Sequence, residues 1–157
     1  MGKRSVKENK NIYQQAREAA ELTREQAAEK AVFLSPDRIE KIESGRSLPH
    51  PDEITALAAA YNAPELKNLF CARDCPLGRE TVQEIPAKDL PRITLELLSE
   101  LNALAAEKDR LIEIAADGSV SQAEREDFDR IRGKLSKISL LSGSLGLWME
   151  KQQAEKE

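Results

Sequence analysis

Soft metal ligands are scarce in this chain: two cysteines, Cys71 and Cys75, and one histidine, His50, in 157 residues. One copy therefore lacks the four thiolate or imidazole ligands of a structural zinc site. The histidine lies in a proline-flanked loop, SLPHPDE, with no nucleophile or second ligand near it in sequence, and no glycine-rich phosphate loop occurs. Neither a catalytic centre nor a cofactor is expected. Aromatic residues make up 4% of the chain, and no stretch alternates polar with apolar residues or concentrates β-branched ones. That excludes strands and predicts an all-α fold. No apolar run is long enough to cross a bilayer, and the opening MGKRSVKENK lacks the apolar centre of a signal peptide, so the expected location is the cytoplasm. In that reducing setting the two cysteines are expected to stay unbridged.

Charged residues are abundant, at 33%, but their signs are unevenly spread. Residues 1–79 carry 13 Lys/Arg against 12 Asp/Glu, a net +1, and the remainder carries 11 against 16, a net −5. The second half is thereby a poor nucleic-acid surface, and its acidity suits a basic protein partner. At the start, Lys3, Arg4, Lys7 and Lys10 form a basic, flexible arm over residues 1–10. Such an arm either tracks a DNA backbone or groove or is a solvated tail.

The densest pattern is Leu22–Pro49, LTREQAAEKAVFLSPDRIEKIESGRSLP. Thr23 suits the cap of a helix whose inner side is Ala27, Ala28 and Ala31, small enough for a second helix to cross closely. Ser35, Pro36 and Asp37 restart a helix at once, as cap, first position and dipole-matched acid. Ile39 and Ile42 then point inward, which leaves Asp37, Arg38, Lys41 and Ser44 on the outer side, and Gly45 ends the helix.

T-x-E-x-A-A, followed by S-x-x-x-I-x-x-I-E-x-G and by Leu57, Ala60 and Tyr61, resembles the phage-repressor (Xre/Cro-like) helix-turn-helix family over roughly Asn11 to Phe70. The resemblance implies a five-helix domain, with Ile12–Glu21 before the motif and Asp52–Tyr61 and Glu65–Phe70 after it. It further implies double-stranded DNA as partner, Arg24 near a phosphate, and Asp37, Arg38 and Lys41 facing the major groove. Ser44 and Arg46 complete the candidate DNA contacts, and Arg17 with Glu43 matches an ion pair found in the family. Between Lys30 and Ile39 the chain is one residue longer than the family pattern, and Ala31-Val32-Phe33-Leu34 replaces the usual turn glycine. A rotated or differently started second helix is one expected consequence.

A domain of residues 11–75 is followed by a linker, 76–86, that holds Pro76, Gly78 and Pro86. The C-x3-C spacing of Cys71 and Cys75 would put both thiols on one helical face, so only a pair from each of two copies would make a tetrathiolate site. The expectation is no metal, with both cysteines serving to hold the linker against the domain.

Residues 87–150 read as two long helices with leucine stripes. Leu90, Leu97, Leu101, Leu104, Leu111 and Ala115 line the first, with Leu98, Ala105 and Ile112 widening the stripe; Phe128, Ile131, Leu135, Ile138, Leu145 and Met149 line the second. Asp117-Gly118-Ser119 turns between them, and Ser121 with Glu124 has the spacing of a capping box. The turn resembles the second half of a calcium loop, but Glu113 and Ala115 stand where its first ligands belong, too few oxygens for Ca²⁺. The prediction is an antiparallel helical hairpin with arms of about 40 Å, followed by a disordered tail at 151–157.

A two-helix hairpin cannot bury both stripes alone, so a second copy is expected to cover them as a four-helix coiled-coil-like bundle. Leu97, Leu101, Leu104, Leu111, Ile131, Leu135, Ile138, Leu145 and Trp148 are the candidate dimer or partner interface. Two functions fit. One is a dimeric, sequence-specific DNA-binding transcription regulator with no enzymatic activity. The other is a helical interaction protein of a mobile element, an accessory or inhibitor of a nucleic-acid enzyme, acting through its acidic helices.

Overall fold

The structure, a computed structural model, describes residues 10–154. Lys3, Arg4 and Lys7 of the basic arm lie outside the described residues. Among those described, every regular element is a helix, and no helix is long and apolar enough to cross a membrane. The chain divides into two compact units, one running to Glu84 and including the residues from Glu150, the other Ile85–Met149.

The first unit is built on α1 (Ile12–Ala19), α2 (Arg24–Ala31), α3 (Pro36–Glu43), α4 (Pro51–Ala60) and α5 (Glu65–Arg73). Local caps set the starts. Asn11 accepts from the Gln14 N–H, and Thr23 accepts from Gln26 while the Gln26 side chain returns a bond to the Thr23 N–H. Ser35 accepts from Arg38 and Pro36 takes the first position, so α3 starts where the sequence predicts despite the extra residue before it. Gly45, at φ +72°, supplies the left-handed residue that closes α3.

Helix α2 packs on α3 and α4, α4 on α5, and α1 on α3. Ala27, Ala31, Ile39, Ile42, Ile54, Leu57 and Leu66 are buried at the centre. Each large one contributes about 1.5–3 kcal/mol by leaving water. Tyr13 ties α1 to the end of α5 by donating to Asp74 Oδ2 at 2.6 Å.

Helix α5 stops at Arg73, so Cys75 lies beyond it and not on a shared helical face with Cys71; the Cys75 N–H closes the helix end on the Phe70 carbonyl at 3.0 Å. Within the expected linker the chain makes one more turn of helix, α6 (Gly78–Thr81). Its start presses so closely on α5 that a Cβ at Gly78 would lie 2.0 Å from the Cys71 carbonyl oxygen, which admits glycine alone.

In the second unit the first arm is two helices, not one: α7 (Leu90–Ala105) and α8 (Lys108–Ala115). The return arm is α9 (Arg125–Ala154), which carries the helix through residues 151–154, where a disordered tail was expected. Cross-arm bonds run Glu100 to Lys137, Glu107 to Lys134 and Arg130, and Arg110 to Asp127. Each step up one arm is matched by a step down the other, so the arms are antiparallel without slippage.

The break in the first arm has an electrostatic cause. Lys134 Nζ donates to the Ala103 carbonyl at 3.1 Å and to Glu107 at 2.9 Å, satisfying a carbonyl that the end of α7 frees while pulling Glu107 across the arms. The capping box at Ser121 also departs from expectation. Glu124 does accept from the Ser121 N–H, but the serine hydroxyl donates to the same carboxylate, a stronger acceptor, and α9 begins only at Arg125.

Arg130 and Lys134 hold the Glu107 carboxyl at about 2, well below its ordinary 4.5. A carboxyl lowered in the folded state stabilises fully above its ordinary range, and that stabilisation is lost as acid protonates it. Thermal melting of Glu107→Gln is therefore expected to fall below that of the wild type near neutral pH, the gap narrowing as pH drops from 4.5 toward 2. A gap constant across that window would contradict the assignment.

Candidate nucleic-acid interface

Helix α3 is eight residues long, about 12 Å at 1.5 Å per residue, a length that matches the width of a major groove. Its inner side, Ile39 and Ile42, is spent on the core. The carboxylate of Glu43 at its last turn fixes its direction. That side chain is 1% exposed and receives Arg17 through Nε at 2.5 Å and a terminal nitrogen at 3.0 Å, the pair implied by the family resemblance. Arg17 also donates to the Leu22 carbonyl at 2.7 Å. Bonding to Glu43 raises the Arg17 pKa further despite burial, and burial beside that carboxylate pushes the Tyr61 phenol up, so both stay protonated.

Of the six candidate DNA contacts, Arg24 stands at the first position of α2 with its Nε donating at 2.9 Å to Glu43 Oε2, which also accepts from Arg17. Its guanidinium is partly exposed, at the helix end where backbone N–H groups also point outward. Asp37 and Lys41 are exposed on α3, and among the described residues Lys41 makes no ion pair. Ser44 caps the helix and donates to the Lys41 carbonyl at 3.2 Å. Arg46 is exposed and pairs with Glu40 at 3.1 Å.

Arg38 is engaged within the domain. The periodicity of α3 puts it on the outer side, ready to read a base, but its guanidinium is fully engaged. It meets Glu53 with two parallel bonds of 2.6 Å, Ser47 at 2.6 Å and the Leu48 carbonyl at 3.0 Å. Glu53 in turn accepts from the His50 N–H at 2.7 Å, so one carboxylate joins α3 to the start of α4. Arg38 holds the Glu53 carboxyl below the usual carboxylate range, and the bond raises the Arg38 pKa. Sequence reading missed Glu53; its one signal was an acid three residues after His50, at the third position of a proline-opened helix.

The extra residue before α3 is absorbed in a tight turn. Val32 has φ +59° and ψ −47°, and the Phe33 N–H bonds to the Ala31 carbonyl at 2.7 Å, a γ-turn of the rare positive-φ kind. For a β-branched residue that backbone is an outlier that costs on the order of 1–3 kcal/mol. The turn leaves Val32 87% and Phe33 61% exposed, between buried Ala31 and Leu34.

Replacing Arg38 by Ala is expected to lower stability by about 1–3 kcal/mol, because Glu53 loses charge-assisted bonds. Urea unfolding checks it, and an unchanged midpoint would return Arg38 to the free, base-reading role.

Residues 14–68 match the family described as a helix-turn-helix domain. Comparison with curated proteins and with solved structures returns no match. The matched stretch, residues 14–68 in the N-terminal part, is a helix-turn-helix domain of the Xre/Cro-like kind.

Proposed function

We propose that the protein is a sequence-specific, double-stranded-DNA-binding regulator without enzymatic activity, acting as a dimer. The observation that carries this reading is α3 itself: a short helix with a buried inner side, fixed by Glu43 and Glu53, that presents Asp37, Lys41 and Ser44 outward. In this reading α3 lies in the major groove and Lys41 makes the principal base or phosphate contact. Asp37 accepts from a cytosine amino group. Arg24 and the α2 N-terminus meet a backbone phosphate, with Glu43 keeping the guanidinium in place, and Arg46 reaches a phosphate by exchanging Glu40 for it.

The second unit supports the dimer. Leu95, Leu98, Leu101, Ile112 and Leu135 are exposed large apolar side chains that a second copy would cover. Ile131 is withdrawn from the interface expected from sequence, since it is buried within the chain, and Leu97, Leu104, Leu111, Ile138, Leu145 and Trp148 are already half-buried. The interface proposed here centres instead on Leu98, Leu101, Ile112 and Leu135.

One observation favours the alternative, an interaction protein working on a basic partner. Arg17, Arg24, Arg38 and Arg46 are each held by a carboxylate, which leaves the helix-turn-helix face with little uncommitted positive charge. Salt separates the two readings. A regulator selected on random duplex DNA is expected to lose affinity steeply as salt rises. Lys41→Ala should weaken the selected duplex by about 1–3 kcal/mol if Lys41 reads a base, or lower the salt slope by about 1 if it meets a phosphate, with no change in thermal stability. Duplex affinity indifferent to salt and to Lys41 would favour the protein-partner reading.

A further inference from the structure

We propose that Phe33, presented by the strained turn at Val32, is a specificity-determining residue that reads the C5-methyl group of thymine in the major groove. The inference rests on the DNA-binding reading of α3 and goes beyond it by naming a residue and the base feature it recognises.

Four observations converge on it. Phe33 and Val32 stand exposed side by side, yet the residues on either side of them, Ala31 and Leu34, are buried core. The pair is thus a short outward turn pinned at both ends. The second observation is backbone strain: Val32 occupies a positive φ that a glycine would adopt freely, so the chain keeps an unfavourable residue where an easier one fits. The bond from the Phe33 N–H to the Ala31 carbonyl locks the turn, so its direction is set before any ligand arrives. Third is position. Phe33 precedes Ser35, the cap of α3, by two residues, and the N-terminal end of a recognition helix is the part that approaches base edges.

The fourth observation is what the rest of the face lacks. With Arg38 engaged by Glu53, Ser47 and Leu48, and Arg24 and Arg46 assigned to phosphates in the proposed reading, no arginine of this face is left for the bidentate reading of guanine. An exposed aromatic ring is chemically matched to the one apolar feature on the major-groove edges, the thymine methyl. No bond is made or broken; the methyl and the ring leave water together.

The test uses the full chain and a duplex selected from random sequence, compared with the same duplex carrying deoxyuridine at every thymine. Deoxyuridine keeps base pairing and charge and removes only the methyl. Wild-type affinity is expected to fall roughly fourfold for each methyl that Phe33 covers, the worth of one buried carbon, and single replacements should map the effect to one or two positions per half-site. Phe33→Ala should bind both duplexes equally, at the lower affinity. Val32→Gly, which adopts the same positive φ without strain, should melt at a higher temperature than the wild type and keep its thymine discrimination, because the turn that presents the ring is retained. Equal wild-type affinity for both duplexes would overturn the assignment, leave the DNA-binding reading standing, and return the exposed pair to a protein contact. Full thymine discrimination retained by Phe33→Ala would also overturn it. If the wild type binds no duplex at any salt concentration, the DNA-binding reading itself fails and this inference falls with it.

Discussion

The carboxylate of Glu43 ties the first three helices together. It is nearly inaccessible to water and accepts from Arg17 of α1 through both oxygens and from Arg24 of α2 through Oε2, while itself belonging to the last turn of α3. A buried charge survives only where partners satisfy it, and removing one partner from such a pair costs about 3–5 kcal/mol. The network therefore constrains geometry more than it adds stability: α3 cannot rotate about its axis without stranding a charge. Glu53 of α4 repeats the device on Arg38, so α3 is held near both ends by ion pairs to neighbouring helices, through its own Glu43 at one and its own Arg38 at the other.

That economy of charge shapes what the face can do. Of the arginines, Arg17 and Arg38 are tied into the domain, while the proposed reading assigns Arg24 and Arg46 to phosphates. Exposed contact chemistry is left to Lys41, Asp37, Ser44 and the apolar turn. In the proposed dimer the acidic hairpin would set the separation of the two heads without adding a competing affinity for DNA.

Much of this was legible in the residues. Thr23, Ser35 and Gly45 marked helix ends because caps are local chemistry, and the spacing of Ile39 and Ile42 marked the buried side of α3 because helical period is local geometry. Arg17 and Glu43 were paired only through family resemblance, as nothing within one helix links positions 17 and 43. The partners of Arg38 were hidden for the complementary reason. Periodicity gives the side on which a residue lies but not whether a later segment returns to engage it, and its partners Ser47, Leu48 and Glu53 lie 9 to 15 residues downstream. The interruption between α7 and α8 was hidden in an alanine-rich stretch with no glycine or proline; it depends on Lys134 from the opposite arm. The sequence did show the missing turn glycine, but not that a valine would take its backbone conformation.

Hydroxyl-radical footprinting of the full chain on its selected duplex bears most directly on the claim that two α3 helices read DNA from one dimer. The account predicts two protected patches on one face of the duplex, centred about 34–36 Å apart or a multiple of that. A single protected patch, or none at concentrations that saturate binding, would contradict it.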